Sequence, residues 1–201
     1  LVRDNFSRLE AIIGDHQFLP IHGILFDLGW SSPQFEERGR GFSFDRPDEP
    51  LDMRFSGSAE AGRPGAADVI ATASETGLAR IFREYGEEPQ SDSIATAVIA
   101  ARKDRPIKTV GDLVEIILTV YRRKLRTDKD VPWIGGLHPA TRVFQALRIA
   151  VNDELAAVET ALPQAVAALA SGGRLAVISF HSLEDRIVKH FFKKNDGKTL
   201  H

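Results

Sequence analysis

The chain has 201 residues, 43% of them hydrophobic and 27% charged, with a formal net charge of −2. That length suits one domain, or one domain carrying an insertion, and that composition excludes a chain disordered throughout. The absence of cysteine rules out disulfides, thiolate catalysis and cysteine-ligated metal, and suits a reducing, cytoplasmic setting; no apolar run reaches the roughly 20 residues of a membrane span, and no signal peptide opens the chain.

The only methionine is Met53, and the chain opens inside what reads as a strand-to-helix connection. The sequence therefore reads as a piece of a longer protein. Residues 21–28 predict a strand with apolar residues on both faces, as in a parallel sheet covered by helices on both sides. Gly29 ends it. A loop rich in Gly, Ser and Pro then runs to about residue 66, long enough to be functional or mobile.

Three amphipathic stripes follow: Leu78, Ile81, Phe82 and Tyr85; Ile94, Ala97, Val98 and Ala101; Leu113, Ile116, Ile117 and Val120. Their spacing predicts three successive helices, a small helical subdomain. Residues 102–129 hold nine basic and four acidic residues, a net +5, which is either a phosphate-binding patch or a solvated helical surface. Residues 122–137 read as a loop. A long helix is expected from Pro139 to Leu162, ended or kinked by Pro163. Its polar side carries Arg142, Gln145, Arg148 and Asn152; Arg142 and Arg148 are candidates for a phosphate contact or for a buried salt bridge. Gly172-Gly173 predict a turn, Arg174–Phe180 a second strand apolar on both faces, and Ser182 with Asp185 a capping box opening the last helix.

The order strand, loop, helices, strand, helix suggests an α/β sheet interrupted by an insertion. In open α/β sheets ligands bind beyond the carboxyl ends of the strands. Asp27 to Gln34 follows the first strand and His181 to Asp185 the second, so neighbouring strands would bring the two clusters to one crevice. Asp27 directly follows an apolar run; it either caps the loop or faces a cation. His181 is either structural or catalytic. No metal site is indicated, no Ser-His-Asp arrangement can be defended, and Gly39–Gly41 lacks the lysine and helix of a phosphate-binding loop. A dinucleotide-binding oxidoreductase would need a glycine fingerprint that is not present.

Seven blocks in order carry a resemblance: DLGWSSPQ at 27–34, RGRGFSF at 38–44, PLDMR at 50–54, YGEE at 85–88, HPATRVFQALR at 138–148, VNDEL at 151–155 and GGRLAVISFHSLEDRIVK at 172–189. Together they resemble the bacterial RsmH/MraW family of 16S ribosomal RNA cytosine-N4 methyltransferases. The resemblance implies an α/β fold with a class I, Rossmann-like methyltransferase core at 1–66 and 137–201 and an inserted helical subdomain at 67–136. It implies S-adenosyl-L-methionine as cofactor and 16S rRNA or the small ribosomal subunit as partner, with neither membrane nor DNA, and leaves the oligomeric state open. Phe6, Asp27 and Gln34 match the family's cofactor contacts: Phe6 beside the adenine, Asp27 as the acidic residue after the strand, Gln34 in the loop. The turn Ser31, Ser32, Pro33 occupies the place where amino-methyltransferases hold a Pro-containing motif, and either receives the cytosine amine or serves the fold alone. No catalytic acid or base is expected.

The departures are as specific. The family's glycine-rich segment after the first strand, its acidic residue after the second and its basic C-terminal tail have no match here. Pro89–Ser93 lacks the basic residues usual after YGEE. This stretch alone is therefore expected to be inactive. The rival expectation is a non-catalytic RNA-binding or ribosome-assembly module that has lost its cofactor.

Overall fold

The computed structural model describes residues 1–29, 39–55, 62–131 and 133–197. The packing divides the chain into two compact units. The first is built from two segments, 1–30 and 153–201, and the second from the segment between them, 31–152. Those boundaries lie at 30/31 and 152/153, where the sequence suggested 66/67 and 136/137.

In the first unit a short 3₁₀ turn at Phe6–Arg8 leads into α1 (Leu9–His16), then β1 (Ile21–Asp27), α7 (Glu154–Ala168), β2 (Leu169–Ile178) and α8 (Ser182–Asn195). β1 and β2 pair in parallel, with Gly23 opposite Arg174 and Asp27 opposite Ile178. Strand side chains alternate between faces. Phe26 and Leu28 point into a core with Val158, Ala161, Leu162, Ala165 and Val188, and Ile24, Leu175 and Val177 pack against it. The opposite face differs from the expectation of two covered faces: Leu25 is 62% exposed, Ile178 46% and Phe180 70%. Among the described residues, the helices of this unit cover one side only.

β2 begins five residues earlier than Arg174, and the expected Gly172-Gly173 turn is an irregularity inside it, where the register shifts between Ile21 and Gly23. The expected long helix is two. It breaks at Asp153, whose φ of 51° is left-handed, while Pro163 sits inside α7. A left-handed residue turns the chain out of a helix outright, whereas Pro163 removes one donor from a helix that its apolar face still anchors.

The second unit holds α2 (Ala66–Thr72), α3 (Glu75–Gly86), α4 (Ser91–Asp104), α5 (Val110–Leu125) and α6 (Thr141–Asn152). The three apolar stripes become α3, α4 and α5, and their leading residues Leu78, Phe82, Ile94, Val98, Leu113 and Ile117 are fully buried. Caps fix the starts: the Ser74 hydroxyl accepts the Gly77 N–H at 3.0 Å, and Thr109 and Asp112 form a reciprocal capping box. α3 packs against α4 and crosses α6. Gly86 sits at that crossing, where a Cβ would fall 2.4 Å from the Arg142 carbonyl; only glycine admits so close an approach. Among the described residues no helix is long and apolar enough to cross a membrane.

Candidate functional site

The parallel pairing puts the carboxyl ends of β1 and β2 side by side, as the crevice argument requires. Asp27 is the last residue of β1 and is exposed; the next amide, of Leu28, donates to the Ile178 carbonyl at 3.0 Å and extends the pairing one residue. The Phe6 ring lies 5.8 Å from the Phe26 ring at 43°, so Phe6 reaches the chain neighbour of Asp27.

Local chemistry explains why Phe6 is held there. The Asn5 side chain accepts the Ser7 N–H and caps the turn that carries Phe6. Gln164 of α7 then clasps the turn from outside: its amide nitrogen donates to Ser7 O at 2.9 Å and its oxygen accepts the Glu10 N–H at 2.8 Å. Sequence reasoning missed Gln164 because its partners lie more than 150 residues away. Ser31, Ser32, Pro33 and Gln34 lie outside the described residues.

At the end of β2, His181 rather than Ser182 caps α8. Its Nδ1 accepts the Glu184 N–H at 3.4 Å, and the Glu184 carboxylate accepts the Phe180 N–H at 3.0 Å. His181 Nε2 is 3.3 Å from Glu184 Oε1, off the line of a hydrogen bond. Burial pushes the Glu184 carboxyl up, but His181 and the Phe180 N–H outweigh it and hold it below the usual range. Glu154, His181 and Glu184 offer ligand atoms within 4.8 Å of one another. The Nδ1 atom of His181 is engaged in capping α8. His181 and Glu184 together lock the strand end.

In the second unit the described part of the segment read as a long loop is tied down. Met53 is fully buried with φ 61°. Asp52 receives the Arg54 guanidinium through two bonds of 2.7 Å, and that bidentate pairing, against some burial, holds its carboxyl below the usual range. Met53 N–H donates to Arg40 O, joining the 38–44 and 50–54 blocks.

The polar stripe of α6 makes hydrogen bonds within the protein. Asn152 donates to Met53 O at 2.8 Å and accepts the Phe55 N–H at 2.9 Å. Gln145 donates to Tyr85 O, Arg142 to Glu87 O, and Arg148 is buried. These side chains satisfy carbonyls that helix ends and turns would otherwise leave orphaned. Part of the basic segment is similarly occupied: Arg102 donates to Ile70 O and Ala73 O, Arg105 pairs with Asp112 and Arg122 with Glu115. Glu88, only 2% exposed, accepts the Tyr121 hydroxyl at 2.6 Å; burial and this carboxylate push the Tyr121 phenol well above its usual value.

A model of the MraW methylase family matches residues 1–200. A Dictyoglomus thermophilum protein named ribosomal RNA small subunit methyltransferase H is 48% identical over 200 residues, covering all of this chain and 63% of that protein. Proteins of the same name from Nitrobacter hamburgensis and Dehalococcoides mccartyi are 50% and 48% identical, with 55% and 51% of their lengths covered. The chain thus spans between about half and two thirds of the relatives it matches.

Proposed function

The chain belongs to the MraW methylase family, and from that premise we propose that it is part of an S-adenosyl-L-methionine-dependent methyltransferase of class I, Rossmann-like design that modifies the exocyclic N4 of a cytosine in 16S rRNA. The relatives' name supports an rRNA substrate of the small subunit. The observation that carries the reading for this chain is the parallel β1–β2 pair, with the exposed Asp27 at its carboxyl end and the Phe6 ring against the adjacent Phe26.

Those residues fit the cofactor chemically. A carboxylate at an open strand end suits a cationic ligand, and an exposed ring suits an adenine face. S-adenosyl-L-methionine would supply an electrophilic methyl group on a positively charged sulfur. Asp27 would oppose positive charge in the cofactor, Phe6 would cover the base, and Gln34 would complete the contacts from the loop. The N4 lone pair of cytosine is delocalised into the ring, so catalysis is mostly positioning and electrostatics. In this reading the turn Ser31, Ser32, Pro33 accepts hydrogen bonds from the amine, no side chain acts as general base, and the proton that N4 must lose leaves to water after methyl transfer. In this reading the helical insertion, expected at 67–136, lies within the second unit, 31–152, and the enzyme works in the cytoplasm on the small subunit.

The test is calorimetric titration of S-adenosyl-L-methionine into residues 1–201 and into a protein of the relatives' full length, with methyl transfer to 16S rRNA measured on the latter. Weak or no binding is expected for 1–201. Tight binding and turnover are expected for the longer protein, with Asp27→Asn weakening binding and Ser31→Ala or Ser32→Ala lowering turnover. A longer protein that binds RNA but no cofactor would favour the non-catalytic module.

A further inference from the structure

We propose that Trp133 is a stacking platform for an unpaired RNA base, with the neighbouring phosphates held by basic residues at and beyond the end of α5. The proposal rests on the reading that this protein works on RNA, and it adds a binding element carried by a different unit from Asp27. Trp133 is 65% exposed. Exposure of a lone apolar side chain is ordinary in itself; what sets this one apart is how it is held.

Trp133 precedes a two-residue turn, Gly135-Gly136, with φ of 60° and 81°. Ile134 and Leu137 flank the turn and exchange both backbone hydrogen bonds, at 2.8 and 3.1 Å. Two consecutive positive φ angles suit the tight primed turn, which glycine accepts without strain. Behind the turn stands a ladder of rings. Trp133 meets His138 edge to face, 6.3 Å apart at 78°. His138 stacks on Phe44 at 4.4 Å and 9°. Phe44 meets the buried Phe144 of α6 edge-on at 6.1 Å. His138 Nδ1 also accepts the Ala140 N–H at 3.2 Å, which fixes the imidazole. The exposed indole is thus braced through three rings to the core, so little side-chain freedom remains to be lost on binding.

Charge selects the occupant. Arg123, Lys124, Arg126 and Lys129 are exposed, and among the described residues none of the four has an ion-pair partner. Basic residues in the last turn of a helix have a structural use against its dipole, but Arg126 and Lys129 lie past the end of α5. Asp128 and Asp130 dilute the cluster without reversing it: residues 122–130 carry five cations and two anions. Arg126 and Trp133 are seven positions apart, a reach of at most roughly 25 Å. An exposed aromatic face within reach of unpaired cations matches single-stranded nucleic acid, where bases stack and phosphates are neutralised. An apolar protein partner for Trp133, Ile134 and Leu137 would leave that charge without a role.

The experiment uses the chain with Trp30→Phe, which leaves Trp133 as its sole tryptophan. The probe is a single-stranded oligoribonucleotide of about ten residues, beside an abasic strand of equal length. Binding is read by anisotropy and Trp133 by its fluorescence, with thermal melts confirming that each variant is folded. The RNA should quench Trp133 and the abasic strand should not. Trp133→Ala should weaken binding about five- to hundredfold, Trp133→Phe should recover most of the loss, and Arg123→Glu with Lys124→Glu should weaken binding and flatten its salt dependence. RNA bound with unchanged affinity by Trp133→Ala, or without quenching, overturns the platform while the RNA reading stands. No binding of RNA by the parent chain at low salt removes both. A self-association or protein capture that depends on Trp133, with RNA binding untouched by the substitution, assigns the patch to protein and overturns the proposal.

Discussion

The two units solve the burial problem differently. In the second, every helix turns one apolar stripe toward a neighbouring helix, and Met53, Phe82, Ile94, Leu113, Ile117 and Leu147 disappear from solvent. In the first, a two-stranded sheet gives one face to α7 and α8 and leaves Leu25, Ile178 and Phe180 in the open. An amphipathic helix is satisfied by one neighbour, whereas a strand apolar on both faces needs a layer on each side. The unit with the closed core carries the helical scaffold; the unit with the open sheet carries Asp27 and Phe6.

The largest expected effect tests that contrast directly. Phe82→Ala should cost about 3–5 kcal/mol, and Leu25→Ala, in the 201-residue chain, less than about 0.5 kcal/mol. Urea unfolding followed by circular dichroism measures both, and equal losses would break the comparison. Next in size is Tyr121→Phe. It leaves the buried Glu88 carboxylate without its hydroxyl donor, at about 1–3 kcal/mol. An effect near zero would mean the pair is incidental to the second unit.

Gln164→Ala should cost about 1 kcal/mol in the first unit, and its sharper signature is local. Amide exchange at Ser7 to Glu10 should accelerate while the second unit stays protected, because the clasp holds only the Phe6 turn. Uniform acceleration across the chain would argue against a local role.

The smallest effects are in pH. Burial lowers the His138 pKa from its ordinary 6.5, against the opposing pull of Asp45. The unfolded state then takes up the proton first, so the second unit loses stability as pH falls below about 6.5. Glu184 in the first unit has the opposite chemistry and the same sign. Its pKa is held below the ordinary 4.5, so its contribution is complete above that value and fades as pH falls through it. Exchange measured down a pH series should therefore loosen the Phe44–His138 region before the start of α8. The reverse order would show that these two groups do not govern acid sensitivity.

What short-range pattern controls was legible in the residues themselves. The stripes of α3, α4 and α5 and the apolar run of β1 follow from backbone periodicity, which any window of ten residues displays. The blocks from 27 to 189 pointed to the family before any geometry, because order and spacing along a chain need no structure to be read. Cap and break positions were less legible. His181 takes the cap from Ser182 because its ring reaches the Glu184 N–H, and Asp153 takes the break from Pro163 because a left-handed backbone outweighs one lost donor.

Only the tertiary structure decided which polar side chains meet water. Arg142, Gln145, Arg148 and Asn152 form a polar stripe in the sequence, yet the carbonyls of Glu87, Tyr85 and Met53 claim Arg142, Gln145 and Asn152, and burial removes Arg148. Trp133, in a segment that reads only as loop, is lifted into solvent by rings 5 to 89 positions away in sequence. Periodicity states which residues share a face of an element. It does not state what that face will touch, because that depends on chain segments brought together only when the core closes.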